Sequence, residues 1–243
     1  MTSPDTNLLL DSLSAETRER LFSQCTAVPL PQKTVLYQPE QQPRYGFFLT
    51  SGLASVVTRM EEGHSAEVGM IGFEGLAGSL QLLGPGHTSS ECFMQSDGAG
   101  LRISFVKLQE AFLESDPIRQ RVLEFVQSQA HSAAQISACH RLHGAEERLA
   151  RWLLMVRDRV KSDTLGLTQE FLAEMLGARR TTVTLVAGAL QRGGLIEYSR
   201  GRVCILNAEN LEAAACSCYP IIRRFESNLY SRPLRDTGSL IPA

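Results

Sequence analysis

Arginines and threonines crowd one short stretch of the chain: Arg179, Arg180, Thr181 and Thr182, followed by Thr184. A guanidinium presents its N–H donors as a rigid fork that can engage guanine O6 and N7 together, or a phosphate. Threonine hydroxyls donate to phosphates, and threonine methyls can touch the methyl of thymine. Val183, Val186, Ala187 and Leu190 interleave with these residues at helical spacing. The polar groups would therefore stand on one edge of an amphipathic helix. That chemistry suits a nucleic-acid duplex; the plainer alternative is a helical hairpin whose arginines are only solvated.

A second group offers soft ligands. Cys139, His140 and His143 fall in the run CHRLH, and Cys216 and Cys218 form C-x-C further on. A structural metal site needs four such ligands. No fourth is evident beside CHRLH, and C-x-C within a helical stretch would point its thiols apart. The expectation is no metal, but a buried thiol and hydrogen-bonded imidazoles at a domain junction. Cys25, Cys92 and Cys204 complete a scattered set of six with no disulfide framework, as free thiols in a reducing compartment would be. There is no P-loop or Rossmann glycine loop, no G-x-S-x-G and no His/Glu zinc motif, so an enzyme is not expected.

The arginine-threonine edge needs elements to hold it. Thr168 can cap a first helix whose apolar face is Phe171, Leu172, Met175 and Leu176, with Gly177 ending it. A second helix starts near Arg179 and ends at Gly193-Gly194. Two short helices joined by a glycine turn make a helix-turn-helix. The following LIEYSRGRVCIL reads as a hairpin with Arg200, Gly201 and Arg202 at its tip, placed to meet phosphates. Upstream, AEERLARWLLMVRDRV is an amphipathic helix with Leu149, Trp152, Leu153 and Val156 on one face.

The first half of the chain reads differently. Residues 7–24 suit short helices, and residues 28–113 hold short β-like runs broken by glycine, as in a β-roll or barrel. A helix follows with Asp116 as its cap and Pro117 in its first turn, running to about residue 139. Ile118, Val122, Phe125, Gln129, Ser132, Ile136 and Cys139 keep an alternating four-three spacing along it. That is the seam of a dimeric coiled coil, or else a face that covers the β-domain of the same chain. Residues 209–230 look helical, and the chain from 231 onward looks like a loose terminus.

The 243 residues carry a net charge of −2, yet residues 1–140 sum to −6 and residues 141–243 to +4. A polyanion would meet the second part. No apolar run is long enough to span a membrane. The first residues, MTSPDTNLLLDSL, have no basic residue of the kind a secretory signal needs. A cytoplasmic location is expected.

The order of β-roll, long helix and winged helix-turn-helix resembles the Crp/Fnr family of regulators over roughly residues 20–207. The likeness is strongest in LTQEFLAEMLGARRTTVTLVAGALQRGGLIEYSRGRVCIL, and GFFLTSGLASVV and IGFEGLAG are similar to the family's β-roll strands and G-E loop. It implies an α+β chain with a cyclic-nucleotide-binding-type β-roll at 1–115 and a dimerisation helix and hinge at 116–143. A winged helix-turn-helix would follow at 144–230, then a flexible tail at 231–243. It implies a homodimeric transcription regulator that recognises a palindromic promoter site in double-stranded DNA and contacts RNA polymerase. Arg180 falls on the family's base-reading arginine, Thr182 on a phosphate-contacting threonine, and Thr168 and Gln169 on the phosphate-contacting start of the first helix. Thr181 and Leu185 replace the Glu and second Arg of cAMP-responsive members, so a different operator is expected.

Among sensory residues, Glu74 keeps the family's acidic position, but Thr88-Ser89 replaces the Arg-Ser pair that holds a cyclic phosphate. An anion there would lack its counter-charge, so cAMP is not expected. Gln129 and Ser132 could face a polar effector, or equally be polar positions that set the register of the α-helical seam. An iron–sulfur cluster needs four thiolates, and only Cys25 lies in the N-terminal segment. Haem stays open, with His64, His87 and His131 as candidate ligands. Two other readings are a regulatory module acting on a protein partner, and a constitutive DNA-binder with a vestigial sensor.

Overall fold

The structure, a computed structural model, describes residues 6–234 apart from Glu62 and Gly86. The rest of the expected tail lies outside the described residues. Helices α1 (Leu8–Asp11) and α2 (Ala15–Phe22) lead into strands β1 (Thr26–Leu30), β2 (Val35–Tyr37), β3 (Tyr45–Ser51), β4 (Ala54–Arg59), β5 (Ser65–Ile71), β6 (Leu76–Ala77), β7 (Ser90–Met94) and β8 (Gly98–Ser104). Helices α3 (Phe105–Glu114), α4 (Asp116–Leu142) and α5 (Ala145–Val160) follow. Then come β9 (Thr164–Gly166), α6 (Gln169–Met175), α7 (Arg180–Arg192), β10 (Ile196–Ser199), β11 (Arg202–Ile205), α8 (Ala208–Ala214) and α9 (Cys218–Ser227).

The β-rich half forms two antiparallel sheets, ordered β1-β8-β3-β6 and β2-β7-β4-β5. Phe48, Leu76 and Ile103 of the first pack with Leu36, Cys92 and Met94 of the second in one core. The loop between β5 and β6 carries the GFEG run. A Cβ on Gly75 would lie 2.3 Å from the Phe125 ring of α4, so a side chain there would push the long helix off the sheets.

Helix α4 spans 27 residues, about 40 Å at 1.5 Å per residue. It starts one residue earlier than expected: Ser115 is the cap and Asp116 sits in the first turn, paired with Arg119. The four-three seam is not free for a second chain. Ile118, Val122 and Phe125 are buried in the β-roll core, and Ile136 and Cys139 in the C-terminal core. Gln129 donates to the Met70 carbonyl at 2.9 Å, and Ser132 is buried. Of the two readings of the seam, the intramolecular one holds. An apolar stripe cannot report which partner buries it, and here both halves of the same chain do. The outward residues of α4 include Leu123, Gln127, Ala130, Ala134, Ser137 and Arg141.

Helix α5 is buried more completely than its amphipathic pattern suggests. Besides Leu149, Trp152, Leu153 and Val156, it buries Ala150, Arg151, Leu154, Met155 and Arg159. One face packs on α7, α8 and α9, and the other reaches the β-roll. The charge asymmetry read from the sequence therefore overstates the basic surface, because Arg151 and Arg159 are interior cations.

Candidate nucleic-acid interface and effector cavity

Thr168 caps α6, its Oγ1 accepting the Phe171 N–H at 3.1 Å. Gly177 takes φ +55° in the turn that follows, a conformation that costs a side-chain-bearing residue about 1 kcal/mol or more. The turn delivers the chain to Arg179, the N-cap of α7. Val183, Val186, Ala187 and Leu190 are buried against α5 and α6. The opposite edge is open: Arg179, Arg180, Thr181 and Thr184 are exposed and Thr182 is half-buried. Leu185, 68% exposed, extends this edge as an apolar contact.

Two local bonds shape the edge. Arg180 Nη1 lies 2.6 Å from Glu170 Oε1, with both side chains more than half exposed. Thr184 Oγ1 donates to Gln169 Oε1 at 2.9 Å, linking the two helices across the face a duplex would meet. Exposed pairs of this kind are worth at most about 1 kcal/mol, so a phosphate or base can displace Glu170.

The hairpin of β10 and β11 pairs Ser199 with Arg202 around the two-residue turn Arg200-Gly201. Arg200 has φ +49° and Gly201 φ +74°, the double positive φ that two-residue hairpin turns need. β9 completes a three-stranded sheet. Arg200 and Arg202 are exposed at its tip. All nine residues expected to touch DNA, from Thr168 to Arg202, lie on α6, α7 or this wing.

The expected effector residues do not converge. A cavity of about 270 Å³ lies between the sheet faces and α4, lined in part by Tyr37, Gly69, Gln81, Ser90, Phe125 and Gln129. Of the residues named from sequence, only Gln129 lines it. Thr88 Oγ1 donates to the Ser90 carbonyl at 3.0 Å, and Ser89 is exposed. Ser132 is not a lining residue. Glu74 is turned to the other side, where its carboxylate accepts the Gly72 N–H and meets Arg159 at 2.9 Å. The family's acidic loop position is thus occupied by an internal cation, a pairing invisible without the position of α5. His64, His87 and His131 do not line the cavity either; His87 contacts the Glu40 carbonyl and His131 stacks on Phe225.

Sequence reasoning missed Gln81. Its side chain is buried at the cavity wall near Tyr37, yet its carboxamide makes no hydrogen bond of ordinary geometry. A buried amide whose one neighbouring polar group is the poorly aligned Tyr37 hydroxyl costs up to about 1–3 kcal/mol, which a bound ligand would offset. No sequence signal distinguishes such a glutamine from an exposed one.

Besides the apolar packing of Leu53, Val57 and Met70 in the C-terminal core, polar side chains join the β-roll to the helix-turn-helix side. Ser65 Oγ donates to Glu174 of α6 at 2.6 Å. Trp152 Nε1 donates to buried Glu67 of β5 at 2.8 Å, and burial pushes the Glu67 carboxyl up to about 7. Arg159 joins Glu74 to Glu226 of α9.

The soft ligands do converge. Cys139 at the end of α4 lies 3.4 Å, sulfur to sulfur, from Cys216. His143 Nδ1 lies 3.5 Å from Cys218 Sγ. The C-x-C stretch is not helical as expected: α8 ends at Ala214 and α9 starts at Cys218, so Cys216 sits in a connecting turn and both thiols face α4. The outside ligands that the C-x-C lacked in sequence are supplied by the fold. His140 is not part of the group, and burial followed by the charges of Arg148 and Arg151 lowers its imidazole to about 4.

Residues 147–214 match the family of Crp-like helix-turn-helix domains. Over the longer chain, the fold is that of several solved regulators. A CRP-family transcriptional regulator from Thermus thermophilus superposes with TM-score 0.66 at 21% identity, covering 77% of this chain and 96% of that one. The c-di-GMP-responsive global regulator CLP of Xanthomonas campestris gives 0.65 at 18%, covering 80% and 100%. A Crp/Fnr-family regulator from Eubacterium rectale gives 0.66 at 16%, covering 85% and 96%. No curated protein matches the chain in sequence. The fold is the one these Crp/Fnr-family regulators share, and residues 147–214 form a Crp-like helix-turn-helix domain. That domain is joined to the β-roll through α4.

Proposed function

We propose that the protein is a homodimeric, sequence-specific regulator that reads a palindromic promoter with α7 and is controlled by a small effector held between the β-roll and α4. The observation that carries this reading is the exposed Arg179–Thr184 edge, standing on a helix whose other face is locked in the core. Arg180, and Arg179 beside it, read base edges. Thr168, Gln169, Thr181, Thr182 and Thr184 position the backbone, and Arg200 and Arg202 grip phosphates from the wing. The product of binding is a protein–DNA complex that meets RNA polymerase in the cytoplasm, and no reaction is catalysed. Among the described residues no helix is long and apolar enough to cross a membrane, in keeping with that location.

The outward face of α4 supports dimerisation. Leu123, Gln127, Ala130, Ala134 and Ser137 repeat at four-three spacing, which suits close helix packing. Ala130 and Ala133 line the cavity mouth as well, so a second copy would sit beside the effector. That places the ligand where it can bias the angle between the two DNA-binding units.

The effector is small and uncharged. No arginine, lysine or histidine lines the cavity, and its volume falls at the low end for ligand sites. The polar handles are the Gln81 and Gln129 carboxamides and the Tyr37, Ser79 and Ser90 hydroxyls. A cyclic nucleotide would find no counter-charge there.

Mobility shifts on random duplexes at stepped salt test this reading. A regulator loses affinity linearly in log–log form as salt rises, and selection from a random pool yields a two-fold symmetric site. Salt-independent binding, or no enriched sequence, contradicts it.

A further inference from the structure

We propose that Cys139, His143, Cys216 and Cys218 form a tetrahedral site for one thiophilic divalent metal ion, with Zn²⁺ the ion the ligand set fits. The ligand atoms all lie within 4.8 Å of one another. Four ligands at bond lengths of about 2.0–2.3 Å form a tetrahedron with edges of about 3.5 Å. The 3.4 Å Cys139–Cys216 and 3.5 Å His143–Cys218 separations already have that size. The group is too tight for an iron–sulfur cluster, whose several metal atoms hold their thiolates further apart. Three sulfurs and one imidazole are a Zn²⁺ donor set.

The surroundings suit an anionic metal centre. Three thiolates around Zn²⁺ leave one net negative charge. Arg151 is buried on α5 and its charge acts on both Cys139 and Cys216. Among the described residues its guanidinium bonds to the Met155 sulfur and its Nε has no partner. An interior cation so poorly hydrogen-bonded is costly; Glu67 is the carboxylate its charge reaches, and a tris-thiolate metal site adds a second counter-charge. Gln135 Nε2 points at Cys218 Sγ at 3.1 Å, the N–H···S contact that orients a metal-bound thiolate. Cys218 also opens α9, where the first-turn N–H groups lack intrahelical partners. On binding, three S–H bonds give three metal–sulfur bonds and three protons pass to solvent; nothing is oxidised or reduced.

The position gives the site a purpose. Cys139 and His143 end the long helix, and α5, the first helix of the C-terminal core, starts at Ala145. Cys216 and Cys218 lie just beyond the matched 147–214 domain. The metal therefore staples the α8–α9 turn to the hinge on which the DNA-binding part turns. This inference stands apart from DNA recognition, since metal binding is measured without DNA.

The test uses the full chain, purified reduced and stripped with a chelator. Titration with Co²⁺ as a spectroscopic stand-in should give one ion per chain. It should also give thiolate-to-cobalt charge-transfer bands and the intense visible bands of tetrahedral cobalt, all removed by added Zn²⁺. Cys216→Ser and Cys218→Ser should each weaken binding at least about 10-fold, and Cys25→Ser should not. Far-UV circular dichroism confirms that each variant is folded; if Cys216→Ser is not, Cys218→Ser and His143→Ala decide. A reduced, folded wild type that takes up no Co²⁺, or bands unchanged in the folded site variants, overturns the proposal.

Discussion

Arg159 of α5 donates from Nε to Glu74 of the β5–β6 loop at 2.9 Å, and both side chains are buried. The same guanidinium reaches Glu226 on α9. One cation thus joins the β-roll, the hinge-proximal helix and the C-terminal helix. Breaking a buried pair by neutralising one partner costs about 3–5 kcal/mol, because the other charge is stranded. Glu226 remains beside Arg159, so Glu74→Gln should sit near the lower end, about 3 kcal/mol, in urea unfolding. A loss below about 0.5 kcal/mol would mean that the pair is solvated.

Glu67 makes stability depend on pH. Its folded carboxyl is raised to about 7 from an ordinary value of 4.5, chiefly by burial. The folded state therefore holds its proton where the unfolded chain has lost it. Stability from this group is complete below about pH 4.5 and falls as pH rises to about 7. The Trp152 bond survives in Glu67→Gln, while the titration does not. The wild type should lose up to about 3 kcal/mol across that window, and Glu67→Gln should show a flatter profile by thermal melts. Parallel profiles would remove Glu67 as the cause.

Gln81 should behave as a ligand-binding residue held at a cost. Gln81→Leu keeps the size and removes the unpartnered amide, so the ligand-free protein should gain about 1–3 kcal/mol. The same change should abolish the response of DNA affinity to the effector. A destabilised variant would show that Gln81 has a structural partner.

The wing arginines touch phosphates in this account. Arg202→Ala should weaken all sequences alike and reduce the salt slope by about 1. A changed sequence preference would put Arg202 at a base edge.

The helix-turn-helix was legible because its signals are local. Thr168 caps, Gly177 turns, and the apolar spacing of α7 tells which edge faces out. The wing was legible from Arg200-Gly201 between two short β-runs for the same reason. What failed depended on distant partners. The α4 seam was apolar at the right spacing, but spacing cannot say whether β-roll, C-terminal core or a second chain covers it. Glu74 looked like an effector ligand until α5 brought Arg159 against it. C-x-C thiols diverge only on a helix, and the turn at Ala215–Ser217 brings Cys216 and Cys218 to the same side.

Sequence reading by α7 depends most on Arg180 at its start. With the selected operator in hand, Arg180→Ala should bind about 1–3 kcal/mol more weakly and accept any base at one position of each half-site. Binding equal to wild type with unchanged sequence preference would contradict it.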